Sequence, residues 1–336
     1  MPVVENSTYR PPPGLGNPHV QMVWCSLGRV VPEVRHTREL VPTPDGDMLH
    51  LDWVSRLREE AREENAPRRT LVILHGLESH ARLPYINATA LSFLRRGWEV
   101  AALNFRDCGD TPNLLWQSYH SGVSRDVETL VHHLLEARPG RRLALVGYSL
   151  GGNVLLKYLG AHAADIPSAV VAAAAVSAPV DVACAVTQLS HPRNSFYNWR
   201  FLRQMRWKLR RRCERFPGLV DAALIPRLRT FQDFDDLYTA PAHGFENAIH
   251  YWAEASSRPH LEAIRVPTYL INAQDDPFLG PDCYPFEAAR ANPLLTLEVP
   301  AQGSHIGFVR FGGPDGEHWH ETRIRDFLEE RLPAEG

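Results

Sequence analysis

An α/β fold, with a mostly parallel central sheet, helices on both faces and an inserted helical cap, is predicted by three features of this 336-residue sequence. Strand-type apolar runs alternate with helix-type periods between Thr70 and Val176, the signature of βαβ units and hence of a parallel sheet. The alternation then stops: from about Pro179 to His260 no strand pattern is found, and the chain is rich in arginine and aromatic residues. Finally, the apolar run Leu143-Ala144-Leu145-Val146 ends abruptly in Gly147-Tyr148-Ser149-Leu150-Gly151, and a helical period follows at Val154, Leu155, Tyr158 and Leu159. Such a strand-to-helix turn lifts the serine hydroxyl clear of the sheet, with glycines where a side chain would clash.

Taken in order, residues 1–35 are Pro-rich and read as an arm laid over the core, with Val23, Trp24 and Leu27 as its anchors. Residues 36–178 and 263–336 form the core, and 179–262 the cap. Residues 37–54 look like a hairpin turning at Asp45-Gly46, a strong turn signal. The charged stretch 55–69 reads as a solvated loop or short helix. Strands follow at Thr70–Leu74, Glu99–Phe105, Arg142–Tyr148 and Ala169–Val176, with helices at Pro84–Arg96 and Ser121–Ala137 between them. The second helix repeats its apolar positions at three and four residues (Val127, Leu130, Val131, Leu134). The Ala169–Val176 run is apolar throughout, as expected where both faces are covered. After the cap, Pro267–Asn272 and Leu294–Val299 resume the sheet, and Trp319–Leu332 is the closing helix.

Hydrophobic residues make up 44% and charged residues 22% of the chain, with a net charge of -3. These values suit a soluble globular protein and argue against nucleic acid as its general partner. No apolar run approaches the ~20 residues that span a bilayer, and the first residues lack the charged start and apolar stretch of a signal peptide. The five cysteines (Cys25, Cys108, Cys184, Cys213, Cys283) are widely spaced without Cys-x-x-Cys, which fits reduced thiols in a cytoplasm better than disulfides or zinc. Cys108 reads as a buried structural thiol. No Gly-rich phosphate loop is present, and neither a metal nor an organic cofactor is expected. Glu317-His318-Trp319-His320 reads as a solvated helix start, since histidines two apart do not share a helix face. Residues 199–216 carry eight basic residues against Glu214, interleaved with Trp199, Leu202, Met205, Leu209 and Phe216. A solvated cap helix is the plain reading, and a contact with anionic lipid the sharper one. The oligomeric state is not legible.

A serine hydroxyl needs a base within hydrogen-bond reach and a group to orient that base. On this architecture the partners follow the serine in the order acid, then histidine, each after a late strand. Asp275-Asp276-Pro277 follows the strand ending at Asn272, and His305 follows the last strand, between Gly303 and Gly307. Asp276, ahead of the constraining Pro277, is favoured as the acid, with Asp275 as helper or loop cap. Ser149 is then the nucleophile and His305 the base. Backbone amides of Leu150, at the helix start, and Leu77, after the His75-Gly76 strand end, are the expected oxyanion donors.

These residues carry a family likeness. The chain resembles the YheT-type α/β-hydrolases, bacterial relatives of abhydrolase-domain lipid hydrolases, over nearly its whole length. The likeness rests on Asn17-Pro18-His19, His75-Gly76-Leu77-Glu78-Ser79, Asn104-Phe105-Arg106-Asp107-Cys108, Gly147-Tyr148-Ser149-Leu150-Gly151-Gly152-Asn153, Phe234-Asp235, Asn272-Ala273-Gln274-Asp275-Asp276-Pro277-Phe278 and Gly303-Ser304-His305-Ile306-Gly307. It departs from the family at Arg106-Asp107-Cys108-Gly109, where Arg-Gly-Cys-Ser is usual, and at Gly303-Ser304-His305, where Gly-Gly-His is usual. The resemblance places Ser149, Asp276 and His305 on the triad positions and implies hydrolysis of carboxylic esters, with an apolar acyl or alcohol group suggested by the aromatic cap. A thioesterase or amidase using the same three residues is the nearest alternative. A non-catalytic binding protein on the same fold is the distant one.

Overall fold

The computed structural model describes residues 2–57, 69–110 and 112–333. Most of the charged stretch expected as a loop or short helix, residues 58–68, lies outside the described residues; Ser55 and Arg56 end one strand and Arg69 begins the next.

A short strand β1 (Val3–Val4) and helix α1 (Pro18–Leu27) precede the hairpin of β2 (Val34–Pro42) and β3 (Met48–Arg56). Then come β4 (Arg69–Leu74), α2 (Pro84–Leu94), β5 (Glu99–Asn104), α3 (Ser124–Ala137), β6 (Arg142–Tyr148), α4 (Leu150–Ala161) and β7 (Val170–Val176). The chain now leaves the sheet through α5 (Val182–Leu189), α6 (Ser195–Arg215), α7 (Phe231–Phe234), a π-helical turn (Asp235–Thr239), α8 (Ala240–His243) and α9 (Ala248–Ala255). It returns with β8 (Thr268–Ile271), α10 (Phe286–Ala291), β9 (Leu295–Glu298) and α11 (Trp319–Arg331).

The described strands form one sheet in the order β1-β9-β8-β7-β6-β4-β5-β3-β2. Only the hairpin strands β2 and β3 run antiparallel to their neighbours. The alternation along β7 explains why it reads as continuously apolar: Ala173 and Ala175 lie in the core on the α4 side of the sheet, while Ala172 and Ala174 lie in the core on the α11 side. Between β7 and β8 the described residues contain no strand. Their own apolar cluster, including Leu202, Met205, Leu209, Phe231 and Phe234, sits over Leu77 and Trp116 of the sheet's loops.

Two expectations need correction. The arm is not anchored by Val23, Trp24 and Leu27, which are 50%, 40% and 84% exposed. Its buried residues are Tyr9, Leu15 and Gln21. Polar Gln21 is buried because its amide donates to Leu15 O, while its carbonyl accepts from the Tyr9 hydroxyl and the Val309 amide. The start of α11 is likewise not solvated: Glu317, His318 and His320 are buried. There Glu317 is held by Arg325 and Arg95, which satisfies a carboxylate that burial alone would expel.

The loops at the carboxyl ends of the strands share a local property. Glu78 after β4, Asp107 after β5, Ser149 after β6, Ser177 after β7, and Ser304 and Ile306 after β9 all have φ between 51° and 64°. Side chains rarely adopt that region without a compensating constraint, and such residues cluster at functional sites. One edge of the sheet therefore carries most of the strain, and it is the edge where ligands bind in open α/β sheets.

Candidate active site

Ser149 sits at the turn from β6 into α4 with φ 52° and ψ -123°. Its neighbours leave no choice of residue. A Cβ on Gly147 would lie 2.4 Å from Gly151 O, and one on Gly151 would lie 2.5 Å from His75 O. The Ser149 amide donates to Val176 O at 2.9 Å, so the turn is fixed to the neighbouring strand. From the first turn of α4, Asn153 ties this elbow to the end of α9: its Nδ2 donates to Ala255 O, and its Oδ1 accepts from Ser257 N.

The structure brings the three predicted side chains into one hydrogen-bonded chain. His305 Nε2 is 2.9 Å from Ser149 Oγ, and His305 Nδ1 is 2.8 Å from Asp276 Oδ2. With Nδ1–H donating to the carboxylate, Nε2 is left to accept from the serine hydroxyl. The Asp276 side chain is fully buried and its other oxygen accepts from Phe278 N at 2.9 Å. Phe278 also lies against the His305 ring, centroids 4.6 Å apart. Asp275 does something different. Its Oδ1 accepts from Ser304 N at 2.8 Å, pinning the loop that carries His305. Burial raises the Asp275 carboxyl above its usual range. Ile306 N donates to Ser177 Oγ, and Ser304 Oγ donates to Pro18 O of the arm. The departure at Ser304 thus supplies a bond that glycine could not make.

The β4 loop faces this chain. Gly76 runs so close that a Cβ there would lie 3.2 Å from Ser149 Cβ. His75 is buried, and desolvation pushes its pKa down to about 3. The neutral ring donates from Nδ1 to Gly76 O at 2.7 Å and accepts at Nε2 from Phe105 N at 3.2 Å. Gly76 N donates to the Tyr85 hydroxyl. Leu77 borders the cavity from this loop, and Leu150 from the first turn of α4.

Lys208, Tyr119 and Asp235 border the site without having been given a role from the sequence. Lys208 of α6 reaches down to Glu78, its Nζ 3.2 Å from one carboxylate oxygen and 3.1 Å from the other. Tyr119 donates to Glu78 Oε1 while accepting from Glu78 N, each at 2.9 Å. Burial works against the Lys208 charge, but Cys108 and Glu78 beside it outweigh this and hold the ammonium above its usual pKa. Cys108 itself is pushed up to about 12 by burial, as suits a structural thiol. The basic helix is thus only partly solvated: Lys208 faces inward, and Arg212 is buried against Asn113, Leu115 O and Trp116 O. The helical spacing of 205, 208, 209 and 212 was the available signal, masked by the density of charge around it.

Asp235 is the third. It lies in the π-helical turn, a distortion often found at functional sites, and borders the cavity. Burial raises its carboxyl to about 7, against hydrogen bonds from Thr239 and from Trp252 Nε1, the latter at 2.7 Å. The cavity itself measures about 620 Å³ and runs from Ser149 and His305 up to Phe201, Phe231, Phe234 and Trp252. Among the described residues no group of three His, Cys, Asp or Glu side chains is placed to hold a metal ion, and no helix is long and apolar enough to cross a membrane.

Residues 69–310 match the family described as alpha/beta hydrolase fold. The chain is 31% identical to YheT of Escherichia coli strain K12, a protein whose name carries the word esterase, over 98% of this chain and 95% of that one. It is 26% identical to human phospholipase ABHD3, over 91% of this chain and 77% of that one. Among solved structures it resembles the Pyrococcus furiosus esterase Pf2001, with a TM-score of 0.57 at 16% identity over 97% of this chain and 99% of that one; this likeness speaks for the fold. With the family match spanning residues 69–310 and the likeness to YheT running nearly end to end, the chain belongs to the YheT-like group of the α/β-hydrolase family.

Proposed function

We propose that the protein is a serine hydrolase of carboxylic esters whose substrate carries an apolar acyl or alcohol group. The observation that carries this reading is the unbroken hydrogen-bonded chain from Ser149 Oγ through His305 to Asp276, opening into a cavity lined largely by apolar side chains. His305 Nε2 takes the Ser149 proton as Oγ attacks the ester carbonyl, and Asp276 stabilises the imidazolium and holds its tautomer. The amides of Leu150 and Leu77 receive the negative charge that develops on the carbonyl oxygen. On collapse, His305 returns the proton to the departing alcohol, leaving an acyl group on Ser149. Water, deprotonated by the same His305, then releases the acid and restores the serine. These steps use side chains, backbone amides and water. Residues 179–262 act as the cap that excludes solvent and shapes the acyl site.

Relatives named phospholipase and monoacylglycerol lipase support an ester of lipid type, as do the rings of Phe201, Phe231 and Phe234 along the cavity. Labelling with a fluorophosphonate probe tests the reading. Wild type should be modified on Ser149 and Ser149→Ala should not; equal labelling of both proteins would overturn the nucleophile assignment.

A further inference from the structure

The outward face of α1 is apolar at helical spacing. Val20, Val23, Trp24 and Leu27 are all exposed, Leu27 by 84%, while Gln21 on the opposite side is fully buried. A helix resting on a core normally shows the reverse arrangement. The Trp24 ring meets Phe311, itself 57% exposed, at a centroid distance of 5.6 Å, so the apolar surface continues beyond the helix.

A second exposed face of the same character stands beside it. On α6, Phe196, Trp199 and Trp207 are 61%, 52% and 53% exposed, and Arg203, Arg210 and Arg211 are exposed among them. Arg203 lies over the Trp199 ring at 5.6 Å and Arg211 over Trp207 at 5.0 Å. The two helices touch: His19 stacks on Tyr197 with centroids 5.7 Å apart, and Nδ1 lies 3.2 Å from the tyrosine hydroxyl. Between them lies the cavity that holds Ser149, bordered by Val23 and Leu27 from α1 and by Phe196 and Arg200 from α6.

We propose that α1 and the outer face of α6 form a docking surface for an anionic lipid bilayer, arranged around the mouth of the cavity. Apolar side chains on α1 sink into the boundary between headgroups and acyl chains, the tryptophans of α6 sit at headgroup depth, and the arginines pair with lipid phosphates. The charge distribution selects this occupant. The whole chain carries -3, yet the exposed charges of residues 199–216 are Arg200, Arg203, Arg210, Arg211 and Arg215 against Glu214. An anionic surface attracts that patch, whereas a second copy docked on the same face would bring two arginine rows together. Docked in this way, the cavity receives its ester from the bilayer and not from bulk water, a step that rests on the ester-hydrolase reading above.

Vesicle co-sedimentation of the full chain carrying Ser149→Ala tests the docking without lipid being consumed. Partitioning onto phosphatidylcholine vesicles containing about one-third phosphatidylglycerol should exceed that onto pure phosphatidylcholine by roughly tenfold, and should fall in about 0.5 M salt. Adding Val20→Ser with Trp24→Ser, or separately Arg203→Glu with Arg210→Glu and Arg211→Glu, should lower binding by roughly tenfold. None of these five positions borders the cavity, so the same substitutions in the active chain should leave turnover of a soluble short-chain ester unchanged. Equal binding by the parent and both variants overturns the proposal. So does a dimer in sedimentation velocity that these substitutions dissociate. Fluorophosphonate labelling of Ser149 is read separately, so failure of the hydrolase reading and failure of the docking surface give different results.

Discussion

Lys208, from the inserted helix α6, closes on Glu78, the residue after the proposed oxyanion donor Leu77. Glu78 is held at φ 51°, and its side chain is 4% exposed against 22% for Lys208. The inserted segment therefore holds the loop that, on the proposed mechanism, meets the developing charge. Lys208→Met leaves a buried carboxylate without its cation and should cost about 3 kcal/mol in chemical denaturation. It should also lower kcat by roughly 10–100-fold through a displaced Leu77 amide, with little change in KM. Lys208→Arg should restore most of both. A loss confined to KM would contradict the positioning role.

The adjacent carboxylates Asp275 and Asp276 should separate cleanly in steady-state kinetics. Asp276→Asn keeps an acceptor but disturbs the His305 tautomer, and is expected to lower kcat by about 10³–10⁴-fold. Asp275→Asn keeps the oxygen that accepts from Ser304 N and should stay within about tenfold of wild type. Similar losses in the two variants would mean that the acid has been misassigned.

Asp235 makes stability fall as pH rises. Its carboxyl is raised from 3.8 to about 7 by burial, so between those values the unfolded chain releases a proton that the folded chain retains. The unfolded state then binds fewer protons, and unfolding becomes easier with increasing pH. Above about 7 the cost levels off at something on the order of 4 kcal/mol. Asp235→Asn removes it. The variant should therefore melt higher than wild type at pH 8 and match it near pH 4, as read by thermal denaturation across that range.

Gly151→Ala should both destabilise and inactivate. The added methyl would meet His75 O at 2.5 Å and Leu74 O at 2.6 Å, both rigid backbone atoms of β4 and its loop. Relief requires the elbow to move away from that loop. Overpacking of this kind costs about 2 kcal/mol, and the displaced Ser149 Oγ should lower kcat/KM by more than roughly tenfold.

Periodicity made the sheet and α3 readable because each strand from β4 to β7 is buried on both faces and α3 on one. The three-residue chain was readable for a topological reason: the acid and histidine follow particular strands, and Asp276 and His305 each follow their strand within a few residues. Burial at the ends was not readable. Val23, Trp24 and Leu27 look like core residues, yet they face outward while Gln21 carries the inward contact. The Glu317-His318 helix start looks solvated because its arginine partners, Arg95 and Arg325, are reached only through the fold. Lys208 and Arg212 were hidden by the same logic. A basic residue in a basic run shows its inward orientation only once its acceptors are placed.

The arm is fastened to the histidine loop by long-range bonds that include Tyr9 OH to Val309 O, Ser304 Oγ to Pro18 O, and Val309 N to Gln21 Oε1. Tyr9 and Val309 stand 300 positions apart. During synthesis at roughly 5–20 residues per second, Tyr9 is made on the order of half a minute before the residue it binds. Until then Tyr9 and Gln21 lack their partner Val309, and the loop carrying His305 does not yet exist. The turn carrying Ser149 can form early, from contiguous residues of β6 and α4, but His305 follows it by 156 positions. A nascent chain stalled before residue 305 thus carries Ser149 without the histidine that hydrogen-bonds it, and on the proposed mechanism it should not react with a fluorophosphonate.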